Sequence, residues 1–106
     1  MTALLDSVEV LLADLVGFAS ISCLPNDDIV TYIKSYFESH GIEVHLDAHE
    51  DGERFNLFAS IGPVTDGGIL LSGHLDVVPA NPASWSRDPF VLHRENGRLY
   101  GRGAVD

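Results

Sequence analysis

The amino-acid sequence predicts an α/β fold in which helices pack on a central mixed β-sheet. Two segments with helical spacing come first, and segments with the alternation or apolar character of β-strands follow them. This order of helices followed by strands is typical of layered α/β domains, and one of the predicted strands is apolar enough to be buried. Because no linker-like stretch divides the chain, residues 1–106 are interpreted as belonging to one domain.

Two helices are predicted in the first 40 residues. In the first, from Thr2 to about Phe18, leucines and valines recur every three or four residues and fall on one face. The second is predicted over residues 27–40. Asn26 is a residue type that commonly caps helix N-termini, and Gly41 stands where a helix-ending glycine is expected.

Strands are predicted where the apolar period changes to two. The predicted strands cover residues 42–47, 55–61 and 69–75. The third begins with a continuous apolar run, which favours burial on both of its faces. Near the end of the chain, Asn96-Gly97 separates two short strand-like runs, and this dipeptide is a strong signal for a β-hairpin.

Charge and cysteine content exclude several classes of function. The net charge of −10 disfavours nucleic acid and anionic membranes as partners, because both are bound through Lys and Arg. The single cysteine, Cys23, excludes an internal disulfide and a cysteine zinc cluster, and we expect it to be buried as a small apolar residue. No secretion signal or run of about 20 apolar residues is found, so a cytoplasmic protein is predicted.

The chemically informative residues lie at the end of the third predicted strand. Residues two apart in a strand point to one face, so His74 and Asp76 are expected to project together. A carboxylate can fix the tautomer of an imidazole so that its other nitrogen faces a metal ion. Asp106, after a glycine-rich turn, is a plausible further carboxylate ligand. Taken alone, such a His-Asp pair can equally be a structural polar pair in an acidic interaction protein.

Three ordered motifs narrow these alternatives. The strings GGILLSGHLDVVP, WSRDPF and NGRLYGRGAVD resemble the signature of the di-zinc aminoacylase/glutamate-carboxypeptidase family. The similarity is dense over residues 54–106. It implies that residues 1–106 form the N-terminal part of a zinc-peptidase or deacylase catalytic domain, and that the general base and the remaining metal ligands lie beyond Asp106.

The resemblance also implies a role for each site residue. His74 would bind one zinc ion, Asp106 would bridge two zinc ions, and Asp76 would be the catalytic-site carboxylate that orients His74. Zn²⁺ is the implied cofactor, and Co²⁺ could replace it because histidine and carboxylate ligands suit both ions. Substrate-binding residues are not predicted.

The implied activity is hydrolysis of the amide bond of an N-acyl amino acid. The stretch RFNLFASIG most resembles the branch of the family that deacetylates N-acetylornithine. Desuccinylation of succinyl-diaminopimelate, or a related metallo-carboxypeptidase activity, is the alternative within the family. The isolated chain is expected to be inactive, and a non-catalytic truncated module is a further alternative. The parent protein is expected to be a homodimer.

Overall fold

A computed structural model describes residues 2–106 and divides the chain into two compact units. The terminal unit joins residues up to Cys23 with Asp76–Asp106, and the middle unit is Leu24–Leu75. The elements are helices α1 (Thr2–Gly17) and α2 (Asp27–Ser39) and strands β1 (Val44–Ala48), β2 (Phe55–Ala59), β3 (His93–Glu95) and β4 (Arg98–Tyr100). The predicted α/β class is confirmed, with the strands in two two-stranded antiparallel sheets.

In the terminal unit, α1 packs against the chain that follows the hairpin of β3 and β4. Val16 is buried, and a Cβ atom at Gly101 would lie 3.1 Å from its Cγ1. The absence of a side chain at Gly101 therefore allows the backbone to approach the helix closely. The predicted first helix is confirmed, and it ends at Gly17.

An ion pair links the same helix to the hairpin. Nε and Nη2 of Arg94 donate hydrogen bonds of 2.9 and 2.6 Å to the two carboxylate oxygens of Glu9. These hydrogen bonds, together with the positive charge of the guanidinium, hold the pKa of Glu9 below its usual value. The two parallel bonds fix the orientation of both side chains.

The C-terminal hairpin forms as predicted. Asn96 and Gly97 have φ angles of 51° and 74°, so both central residues of the turn lie in the left-handed region. That conformation is typical of a type I′ turn, whose twist matches that of antiparallel strands. His93 is paired with Tyr100 across the hairpin.

In the middle unit, α2 packs on the sheet of β1 and β2. Ile29 and Val30 are the buried residues of the helix, with exposed fractions of 4% and 1%. The predicted second helix and the first two predicted strands are confirmed, although β1 begins at Val44 and β2 ends at Ala59. Gly41 has a φ of 73° after the helix, as expected for a helix-ending glycine.

Asn26 does not cap α2 through its side chain, which corrects the prediction. Its Nδ2 donates to the carbonyl oxygen of Phe55 at 3.0 Å, and its Oδ1 accepts from the N–H of Phe55 at 2.8 Å. The side chain is therefore hydrogen-bonded to the backbone N–H and carbonyl groups of Phe55 at the start of β2. It is not bonded to the free N–H groups at the start of the helix. It ties the beginning of α2 to the sheet.

The third predicted strand is wrong for this structure. Residues 69–75 are not assigned to a strand, and Ile69, Leu70 and Leu71 are 91%, 77% and 89% exposed. A strand needs a neighbour that accepts and donates its backbone hydrogen bonds, and no strand within residues 2–106 pairs with this run. The apolar composition alone does not supply that partner.

Two other observations concern expectations from composition. Cys23 is exposed and has a φ of 71°, so the expectation that it is buried is wrong. It lies in a turn at the surface of its unit, where no side chains enclose the thiol.

In the part of the chain that the structure describes, no helix is long and apolar enough to cross a membrane.

Candidate functional site

The three predicted site residues are divided between the two units. Asp76 and Asp106 belong to the terminal unit, and His74 lies near the end of the middle unit. All three are exposed. Among residues 2–106, no three or more His, Cys, Asp and Glu side chains are grouped so that they could hold a metal ion.

The backbone next to Asp76 is held by a short segment that follows α1. Val77 forms an isolated parallel β-bridge with Ile21. The N–H of Val77 donates to the carbonyl oxygen of Ser20 at 2.8 Å, and the N–H of Ser22 donates to the carbonyl oxygen of Val77 at 2.9 Å. The backbone on the C-terminal side of Asp76 is therefore held in place by the hydrogen bonds of Val77.

The same segment contacts the Asp76 side chain directly. The hydroxyl of Ser22 donates a hydrogen bond of 2.6 Å to Oδ2 of Asp76, and its oxygen also lies 3.2 Å from the carbonyl oxygen of Val77. Ser22 is not among the site residues that the sequence predicts. The only local signal is the alternation Ser20-Ile21-Ser22, which is too short to predict a strand.

Unusual backbone conformations lie on both sides of this segment. Ala19 and Cys23 have φ angles of 48° and 71°, in the left-handed region that residues other than glycine rarely occupy. A left-handed φ angle at a residue other than glycine costs free energy, so this conformation is found where surrounding contacts stabilise it. Here the backbone bonds to Val77 supply those contacts.

The turn that leads to Asp106 packs on the same residue, Val77. Gly103 has a φ of 86°, and a Cβ atom at this position would lie only 2.6 Å from Cγ1 of Val77 and 3.6 Å from the carbonyl oxygen of Asp106. Because nothing larger than a hydrogen fits, glycine is required at this approach. The terminal unit thus brings together the backbone segments that carry Asp76 and Asp106.

Arg102 fixes the other side of this turn. Its guanidinium carbon lies 5.3 Å from the centre of the Trp85 ring, a cation–π arrangement. Its backbone N–H donates to the carbonyl oxygen of the buried Pro89 at 2.7 Å. The turn before Asp106 is therefore anchored to the loop that precedes the C-terminal hairpin.

The donor types fit a zinc or cobalt ion, but the described residues do not make a complete site. An imidazole and a carboxylate are ordinary ligands of these ions, and Asp76 is already held by a hydroxyl on one of its oxygens. A catalytic zinc ion normally has three protein ligands and a water. Residues 2–106 bring no such set of side chains together.

Comparison with known proteins matches the part of the chain that carries these residues. Residues 70–106 match the model of peptidase family M20/M25/M40. Over 82 residues the chain is 40% identical to the acetylornithine deacetylase of Shigella sonnei (strain Ss046), an overlap of 76% of this chain and 21% of that protein. The chain thus spans about a fifth of the length of this relative. The family resemblance inferred from the sequence motifs is confirmed.

Proposed function

We propose that this chain, whose residues 70–106 match the model of peptidase family M20/M25/M40, is the N-terminal part of the catalytic domain of a longer metal-dependent amidohydrolase. The observation that carries the proposal is the 40% identity to an acetylornithine deacetylase over 82 residues. The exposed run Ile69–Leu71 supports it, because a contiguous exposed apolar run is expected where another part of the protein covers it. The longer protein is called the full-length protein below.

The proposed reaction is hydrolysis of the amide bond of an N-acyl amino acid, with N-acetylornithine as the first candidate substrate. In this proposal His74 and Asp106 bind the metal, and Asp76 orients His74 by accepting a hydrogen bond from its ring. Two bound Zn²⁺ ions would polarise the scissile carbonyl and lower the pKa of a water molecule. Asp106 would be positioned by its glycine turn on Val77, and Asp76 by the bonded segment around Ser22.

The cellular setting follows from this assignment as a proposal. An N-acetylornithine deacetylase would serve arginine biosynthesis, and we propose a cytoplasmic location and a homodimer for the full-length protein. The net charge of −10 of this chain disfavours nucleic acid as a partner.

The test is a substrate comparison with the full-length protein. N-acetylornithine and N-succinyl-diaminopimelate are supplied at equal concentration before chelation, after chelation, and after Zn²⁺ or Co²⁺ is restored. We expect faster hydrolysis of N-acetylornithine, its loss on chelation and its return with metal. Preference for the succinyl substrate would assign the desuccinylase activity instead. Hydrolysis of neither substrate by the metal-loaded protein would contradict the proposed function.

A second proposal concerns the 106-residue chain on its own, as a non-catalytic module. Its three consecutive exposed apolar residues at 69–71 favour association with a second copy. Gel filtration of this chain and of an Ile69→Lys, Leu71→Lys variant tests this. We expect oligomers for the first and a smaller species for the second, and a clean monomer in both cases would contradict the proposal.

A further inference from the structure

We infer that Ser22 is the positioning residue for the Asp76 carboxylate. This inference rests on the proposed function for its catalytic meaning, whereas the contact itself is independent of it. Ser22 Oγ donates to Asp76 Oδ2 at 2.6 Å, across 54 positions of sequence. A hydrogen bond from a hydroxyl to a carboxylate is charge-assisted, and such bonds are short and directional. One carboxylate oxygen therefore has a fixed direction in space.

The backbone makes this contact rigid. Ser22 N–H donates to the carbonyl oxygen of Val77, and Val77 N–H donates to the carbonyl oxygen of Ser20, so the residue after the acceptor is bonded to the donor and to the residue two positions before it. The Ser22 hydroxyl is thus carried by a backbone segment that is hydrogen-bonded next to Asp76. The segment lies between Ala19 and Cys23, which both have left-handed φ angles.

Because the hydrogen bond from Ser22 holds Oδ2 of Asp76, it also restricts the direction of Oδ1. A carboxylate whose Oδ2 accepts from Ser22 can turn its Oδ1 only about the Cβ–Cγ bond and within the limits of that hydrogen bond. Under the proposed function the Asp76 carboxylate orients His74. Removal of the hydroxyl would take away one restraint on that carboxylate, which would weaken the orientation of the metal ligand without deleting any ligand.

The first measurement is made on the metal-free full-length protein and does not depend on activity. The carboxylate ¹³C resonance of Asp76, identified by its loss in Asp76→Asn, is compared in the parent protein, Ser22→Ala, Ser22→Thr and Ser7→Ala. Ser7 is the matched control, because its hydroxyl bonds to the carbonyl oxygen of Ala3 within α1. We expect the resonance to move in Ser22→Ala and to stay near its original position in Ser22→Thr and Ser7→Ala.

The second measurement separates positioning from general structural support. In the zinc-loaded protein, we expect Ser22→Ala to lower kcat on N-acetylornithine and zinc affinity by about tenfold, with KM changed less than about twofold. Ser22→Thr keeps a hydroxyl and should restore most of both. In the Asp76→Ala background, Ser22→Ala should cost nothing further, because the acceptor of the Ser22 hydroxyl is already gone. Amide protection of Val77 should be unchanged in every variant.

The possible failures are distinguishable. An unmoved Asp76 resonance in Ser22→Ala overturns the inference, and so does a loss of kcat that is as large with Ala at position 76 as with Asp. Loss of amide protection at Val77 in Ser22→Ala also overturns it, since the serine would then be holding the backbone. If the zinc-loaded parent protein hydrolyses neither substrate while the resonance still moves, the proposed function fails and the contact stands.

Discussion

Gly103 lies so close to Val77 that a Cβ atom at this position would be 2.6 Å from the valine Cγ1. Its φ of 86° is also unfavourable for residues with a side chain. We therefore expect Gly103→Ala to destabilise the turn before Asp106 by about 1–2 kcal/mol through its φ angle and by about 1–3 kcal/mol more through overpacking. Amide hydrogen exchange over residues 98–106 of the full-length protein measures this loss.

Gly62 provides the matched control for this prediction. It has a φ of 89°, and nothing lies within 4 Å of a Cβ atom placed there. Gly62→Ala should therefore show only the cost of the φ angle. Equal destabilisation by the two substitutions would mean that the contact with Val77 contributes nothing.

The side chain of Asn26 should stabilise the start of β2. Asn26→Ala removes two hydrogen bonds and leaves the N–H and carbonyl groups of Phe55 without these partners. We expect a loss of about 1–3 kcal/mol, seen as faster exchange of the Phe55 amide. Asn81→Ala is the control, because Asn81 caps a short turn in the terminal unit. No change at Phe55 in Asn26→Ala would contradict the prediction.

Asp51 should make the hairpin of β1 and β2 sensitive to acid. Hydrogen bonds from the backbone N–H of Glu53 and from the Arg54 side chain hold the pKa of Asp51 well below its usual value. A carboxyl group with a depressed pKa in the folded state stabilises the fold fully above its unfolded pKa of about 3.9. That contribution is lost as the pH falls through the folded pKa.

The measurement is amide exchange in the middle unit at pH 7 and pH 3. We expect Asp51→Asn to be less stable than the parent protein at pH 7 and to lose less stability on acidification. Asp47→Asn controls for the removal of one negative charge from the neighbouring strand. If the stability of the middle unit depends on pH in the same way in the parent protein and in Asp51→Asn, Asp51 does not have this role.

The ion pair of Glu9 and Arg94 should depend on the shape of the guanidinium. Arg94→Lys keeps the charge but cannot form the two parallel bonds, so we expect faster amide exchange in β3 and β4 at low salt. The Arg94 side chain is 64% exposed, so the difference should be small and should shrink at about 1 M salt. Arg98→Lys in the same hairpin is the control. A difference that is unaffected by salt would contradict this prediction.

Much of the fold was predictable because its signals are local. The spacing of leucines in α1 and the dipeptide Asn96-Gly97 each contain the information for their own element. The same holds for the alternation that predicts β1. Each of these elements closes its hydrogen bonds with residues nearby in the chain.

Apart from the exposure of Cys23, the incorrect and missed predictions concern contacts between distant residues. The strand predicted at 69–75 depends on a partner strand, which an apolar run cannot specify by itself. Asn26 bonds Phe55, 29 positions away, and Ser22 bonds Asp76, 54 positions away. The local sequence predicted a helix cap for Asn26 and no role for Ser22. Of the candidate site, the resemblance supplied the residues and their expected roles, and the structure supplied what holds Asp76 and the turn of Asp106 in place.

The most direct test of the proposed function is the zinc content and N-acetylornithine hydrolysis of the full-length protein and its Asp106→Ala variant. We predict zinc bound by the parent protein, weaker binding of at least one zinc ion in the variant, and loss of turnover with an unchanged amide-exchange pattern in α1 and α2. Full zinc content and near-parent turnover in Asp106→Ala would contradict the assignment of Asp106 as a metal ligand and, with it, the proposed site.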